Sequence, residues 1–360
     1  MSTVTGSGTS SGHSWLRLYA AVAVLPLALT ACGGGGGGGS PTPPPAPAPA
    51  PVPTPAPAPA PGEAGLNWTN VTAASAGNLL GVDYADGHYV AVSDQGSALA
   101  STDGATWSAI TLLSSNVSTD HLKAYAITHL GSNFVAVGAV SPTPYTTSTG
   151  AVATSADGVT WTMGTLPAGA TPIHGLISGT RLIGLGETGH IYSSTNGQSW
   201  TALTAITGPG TLNAGVFANG KYVGVGDNGY IVASNDSIAW AAGQVVKVAG
   251  AGVNLHGIAW TGTQFVAVGD NGAITTSADG SAWSALHTSA LSGTLRSVAV
   301  SDTGLIVVVG DSGIETSTDG STWTSRDEAG VAALAGVTFA NSKFVAVGTS
   351  SAIKTSVATN

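Results

Sequence analysis

Tryptophan keeps time along this chain. Trp68, Trp107, Trp161, Trp200, Trp240, Trp283 and Trp323 stand 39, 54, 39, 40, 43 and 40 residues apart, with Trp15 and Trp260 outside the register. Several of them end near-copies of residues 269–283, GDNGAITTSADGSAW: SDQGSALASTDGATW at Trp107, GETGHIYSSTNGQSW at Trp200 and GDSGIETSTDGSTW at Trp323. A unit of roughly 40 residues cannot bury a core alone, so it must stack on its neighbours.

One unit shows what is stacked. LHGIAW (255–260) reads as a first strand and QFVAVGD (264–270) as a second. Asp270-Asn271-Gly272 reads as a tight hairpin turn, with Asn and Gly supplying positive φ. AITTS is a third strand, and ADGSAW leads into a fourth that carries Trp283. Four short antiparallel strands per repeat make a propeller blade. The second-strand text recurs seven times, as YVAVSD, FVAVGA, LIGLGE, YVGVGD, FVAVGD, IVVVGD and FVAVGT. Six copies carry the complete turn-plus-Trp ending, because after FVAVGTSSAIKTS the chain stops. LNWTNV (66–71) matches the missing piece, so an N-terminal strand would complete the last blade and remove an open sheet edge. The expected fold is all-β, a seven-bladed β-propeller over residues 66–360 closed by its N-terminal strand. An open β-solenoid is the structural competitor, but it would not need matched half-repeats at its ends.

The turns STDGATW, SADGVTW, STNGQSW, SNDSIAW, SADGSAW and STDGSTW resemble Asp-box, or bacterial neuraminidase, repeats. Together with the VAVGDNG strands they are most similar to photosystem II assembly-factor-like propellers. The box is one residue shorter here than the sialidase form S-x-D-x-G-x-T-W. The resemblance implies a fold and says little of activity.

Asp103, Asp157, Asp236, Asp279 and Asp319, with Asn196 in the same place, head these turns. An Asx side chain there can accept hydrogen bonds from the N–H groups that follow. Gly comes next in five of six copies, as a left-handed residue requires, and Ser237 breaks the pattern at a cost of about 1 kcal/mol. Each Trp is expected between neighbouring blades. Asn196 cannot act as a general acid, and six copies around a rim cannot converge on one substrate. The repeated Asp is expected to be structural.

A ligand face is expected at the opposite end of the blades. Aligning the first strands gives a ring of Leu80, Lys123, His174, Asn213, His256, Arg296 and Ala335, mostly polar in a chain with nine Lys and Arg. The second-to-third-strand turns add Asp94, Glu187, Asp227, Asp270 and Asp311. Five acids facing a basic ring would make a charge-focused funnel; alternatively, they are ordinary turn residues. His174 and His256 lie two blades apart, which leaves a shared metal open, although no ligand spacing supports one. The insertion AVSPTPYTTSTG (139–150), with Tyr145 at its tip, reads as a partner contact or as loop drift. The same holds for the segment AAGQVVKVAGAG (241–252) before blade 5.

The N-terminus sets the compartment. Arg17 and the apolar run LYAAVAVLPLAL end in LTAC, so residues 1–31 read as a signal peptide and Cys32 resembles the lipidated cysteine of a bacterial lipobox. An ordinary signal peptide with an incidental Cys is the alternative. Residues 32–65 then form a linker: seven glycines, followed by a Pro/Ala run expected as a polyproline spacer of about 65 Å. With Gly33 after the cysteine, resemblance to other lipoproteins favours the outer membrane. The formal charge of −9 argues against nucleic acid.

Arg181, Arg296 and Arg326 should point to different places, and Glu187, Glu315 and Glu328 offer no nucleophile partner, so a sialidase lacks its parts. No phosphate loop or Ser-His-Asp pattern is visible, and no cofactor is expected. The expected function is a lipid-anchored, monomeric, non-enzymatic scaffold for an envelope protein or glycan. A hydrolase or lyase using His174 and His256, or a surface adhesin, remains the alternative.

Overall fold

The computed structural model describes residues 64–112, 122–140, 148–208, 210–245, 247–248, 251–289, 291, 293–326 and 332–357. Cys32, Tyr145 and almost all of the expected signal and linker lie outside these residues. What is described is a seven-bladed β-propeller of four-stranded antiparallel sheets.

Blade 1 runs outward from the axis through Leu79–Ala85, His88–Ser93, Ser97–Ser101 and Ser108–Thr111. Blades 2 to 6 repeat this order from innermost strands Leu122–Leu130, Ile173–Ser178, Leu212–Ala218, Leu255–Trp260 and Leu295–Val300. Blade 7 contributes Leu334–Ala340, Lys343–Gly348 and Ile353–Val357, and its outermost strand is Thr69–Val71. Thr69 pairs with Thr355 and Val71 with Ile353. The innermost strands of blades 1 and 7 pack against each other, so the ring is closed. Residues 241–245, expected within a loop, are instead the outermost strand of blade 4; a small ribbon of Lys247–Val248 and Ala251–Gly252 follows.

Second strands such as Phe265–Gly269 are buried at every residue. They read as unbroken apolar runs because a blade is covered by a neighbour on both faces. Seven apolar clusters result, one per blade interface, and each holds one register tryptophan. Trp107 of blade 1, for instance, packs with Val345, Val347 and Ile353 of blade 7. The tryptophans stand just before the short outermost strands rather than within them.

The turn ahead of each Trp is built by two oxygens. Asp103 Oδ1 accepts from the N–H groups of Ala105 and Thr106, both at 2.7 Å. Ser101 Oγ donates to Asp103 and accepts from Gly104 N at 2.8 Å. Trp107 Nε1 then donates to Gly104 O at 2.9 Å. Asp157, Asp236, Asp279 and Asp319 make the same pair of backbone contacts, and Asn196 makes them with its amide oxygen. Ser237 adopts φ +65° where the other five copies have glycine at +70° to +75°. Neighbouring blades clasp these turns: Lys343 Nζ donates to Asp103 O, Lys221 Nζ to Asp279 O and Gln264 Nε2 to Asp319 O.

Candidate functional site

All seven innermost strands are bulged at one place. Leu255 pairs with Gly269 and Gly257 with Val268, which leaves His256 as an extra residue. The extras on blades 1 to 7 are Leu80, Tyr125, His174, Asn213, His256, Arg296 and Ala335. A bulge re-aims a side chain, and here it turns seven of them toward the axis. The recurrent Gly of VAVGD permits this. A Cβ on Gly269 would stand 2.1 Å from the Asn254 carbonyl oxygen, and on Gly138 1.9 Å from that of Lys123. Ser93 takes the place in blade 1, its hydroxyl donating to Ser97 O at 2.7 Å.

These residues line a cavity of about 210 Å³ at one end of the channel, and Lys123 is not among them. Blade 2 has a longer inner hairpin, with Leu122 pairing Val140 and Lys123 pairing Ala139. Counting from the start of the apolar run therefore falls two residues short of Tyr125; counting back from Gly138 would have found it. Lys123 instead rests its ammonium 5.6 Å above the Tyr125 ring.

The turn acids stand beside the bulge residues of their own blades. His174 Nε2 lies 3.3 Å from Glu187 Oε1, and His256 Nε2 lies 2.7 Å from Asp270 Oδ1. Asn213 Nδ2 donates to Asp227 Oδ1 at 3.1 Å, and Arg296 Nε to Asp311 Oδ1 at 2.6 Å. In blade 1, where the bulge residue is Leu80, Asp94 takes Asn78 Nδ2 at 2.9 Å. Asp94 and Asp227 also accept from the backbone at the start of the inner hairpin, through Asn78 N and Thr211 N. Asp227 thus serves the hairpin and holds its ring residue at once, while Asp94 serves the hairpin alone. In blades 3, 5 and 6 basic and acidic groups therefore meet pairwise rather than as two separate opposing rings.

Four consecutive blades, 3 to 6, make a polar arc, while Leu80 and Ala335 make an apolar one. Tyr125 stands between them, its ring stacked on His174 with centroids 4.5 Å apart and planes 6° apart. Burial, and then the Glu187 charge, push its phenol above the usual tyrosine value, so it stays a donor. Asn213 Nδ2 also reaches Leu255 O at 3.0 Å, tying blade 4 to blade 5. Among the described residues no group of three or more His, Cys, Asp or Glu is placed to hold a metal. The Asp-headed turns sit at the opposite end of the third strands, away from this mouth.

A scan against protein-family models finds no match for the sequence, and a search of curated proteins finds none. Solved structures match in fold. YCF48 from Cyanidioschyzon merolae superposes with a TM-score of 0.62 at 16% identity, over 81% of this chain and 99% of that one. A YCF48 bound to a D1 peptide gives 0.62 at 17%, over 81% and 95%. A catalytically inactive virginiamycin B lyase from Staphylococcus aureus with quinupristin gives 0.66 at 11%, over 81% and 98%. At such identities the likeness is one of fold, shared by a peptide-binding protein and an enzyme.

Proposed function

We propose that this propeller is a non-enzymatic binding scaffold whose working face is the bulged end of the channel, and that its partner is an envelope protein. One observation carries the reading. The bulge residues share a backbone position yet differ in chemistry from blade to blade, whereas the Asp-headed turns at the other end repeat one chemistry around the ring. A surface that recognises a partner needs variety on a rigid frame. The peptide-bound YCF48 supports this use of the fold. In the same reading the turns are Asp boxes kept for stability, Cys32 is a lipid anchor and the Pro/Ala run is a spacer from the outer membrane.

In-cell photo-crosslinking tests the proposal, with the probe at Asn271 in the blade 5 turn and a control probe at Ser321, both exposed. A discrete protein adduct from Asn271 and none from Ser321 is expected. Equal labelling from both positions, or none from Asn271, would overturn the assignment of face and partner.

A further inference from the structure

We infer that the cavity at the centre of the bulged face holds one sugar ring of a neutral glycan, a ligand separate from the protein partner assigned to the surrounding turns. Size is the first argument. The cavity of about 210 Å³ lies below the ~300–1,000 Å³ of pockets that bury a drug-sized ligand. It suits one six-membered ring with its substituents, not a peptide side of several residues.

Polarity is the second. A pyranose has hydroxyls, each both donor and acceptor, around a ring whose C–H faces are apolar. The mouth has the matching division: Asn213, His256 and Arg296 on one arc, Leu80 and Ala335 on the other. The polar arc offers donors and acceptors side by side. Arg296 uses Nε on Asp311, and its terminal nitrogens take no partner among the described residues. His256 turns Nε2 to Asp270 and has no partner at Nδ1 among the described residues, and Asp270 Oδ2 takes no hydrogen bond from a described residue. Neighbouring hydroxyls need such alternation, because each must give one hydrogen bond and receive another. Tyr125 contributes its edge and hydroxyl, since His174 covers one face of its ring.

Charge is the third. Arg296, His256 and His174 each stand within 3.3 Å of their own carboxylate. An anion entering the mouth meets those carboxylates, and a cation meets Arg296. A neutral ligand avoids both while using the fixed donors and acceptors.

The test uses the full chain. Saturation-transfer NMR and calorimetric titration are run with methyl glycosides of glucose, galactose, mannose and N-acetylglucosamine, and with galacturonate and glucosamine as charged comparators. At least one neutral glycoside should bind, more tightly than either charged sugar. His256→Ala and Arg296→Gln should each weaken it about tenfold, the loss of one or two hydrogen bonds, while Ser321→Ala leaves it unchanged. Both variants are first matched to the parent by circular dichroism. Should Arg296→Gln alone remain folded, it carries the test. No binding by any neutral glycoside, preference for a charged one, or binding indifferent to both variants overturns the inference. A protein adduct without sugar binding removes the sugar site and leaves the scaffold reading standing; sugar binding without an adduct does the reverse.

Discussion

Gly65 and Ser356, 291 positions apart in the chain, rebuild between them the turn that the other blades make from consecutive residues. Gly65 N donates to Ser356 Oγ at 2.7 Å, as Gly104 N does to Ser101 Oγ at 2.8 Å. Trp68 Nε1 donates to Gly65 O at 3.0 Å, as Trp107 does to Gly104. The Asp position is Ala64, which is buried with Leu305 and Phe344 instead. The ring is therefore closed by a split copy of its own repeated turn, not by strand pairing alone. Ser356→Ala would leave the buried Gly65 N–H unpaired and should cost about 1–3 kcal/mol. Gly65→Ala should cost at least as much, because φ is +100° and its Cβ would stand 2.7 Å from Leu305 Cδ2. Scanning calorimetry measures both, and release of the N-terminal strand should appear as faster proteolysis ahead of Trp68.

Ser237 invites the opposite experiment. It holds φ +65° without the freedom of glycine, at a turn where five counterparts are glycine. Ser237→Gly should stabilise the propeller by roughly 1 kcal/mol, read as a rise in Tm. A fall would show that its hydroxyl, which donates to Asp236 O, matters more than its backbone.

The Asp-headed turns make stability depend on acid. Backbone N–H groups of Thr106 and Ala105 hold Asp103 down to about 2, and those of Thr160 and Val159 do the same for Asp157. A carboxyl lowered by folding stabilises the native state above its unfolded value of about 3.9, and that contribution is lost as pH falls toward the folded value. Tm should therefore drop between about pH 4 and about pH 2. Asp103→Asn should keep the turn, as Asn196 does with contacts of 3.0 Å to Gln198 N and Ser199 N, and make the drop shallower. An unchanged slope would remove Asp103 from the account.

The bulge can be tested at its glycine. Gly269→Ala places a methyl 2.1 Å from the Asn254 carbonyl oxygen, a backbone atom that cannot swing aside. The innermost hairpin of blade 5 must then shift, with a loss of about 3 kcal/mol or more. His256 should lose its contact with Asp270, visible as a changed imidazole resonance. Retention of both the Tm and that resonance would contradict the role given to the glycine.

At the other end of the channel, the His129 imidazole is raised above its usual value by its 2.7 Å bond to Asp83 across the blade 1–blade 2 interface. The raised value means that the contribution is present below about pH 6.5, the unfolded value, and fades as pH rises through the folded one. Asp83→Asn should return His129 toward ordinary titration, followed by NMR; no change would place its perturbation elsewhere.

Much of this molecule is local in origin, and that part was legible in the residues. The spacing of Trp68 to Trp323 sets the number of blades, because every repeat must bury the same surface on the next. The Asx-x-x-x-Trp turns are set by contacts two or three residues apart, so six of them could be read from text alone. What the chain could not show by itself is what forms across blades or depends on register. Tyr125 rather than Lys123 enters the ring because the blade 2 hairpin is longer, a fact of pairing and not of composition. The turn acids were visible, yet their attachment to His174, Asn213, His256 and Arg296 needed the bulge that brings side chains 13 to 15 residues apart within hydrogen-bonding distance. The bond from Gly65 to Ser356 exists because closure of the ring makes neighbours of two ends that no local rule connects.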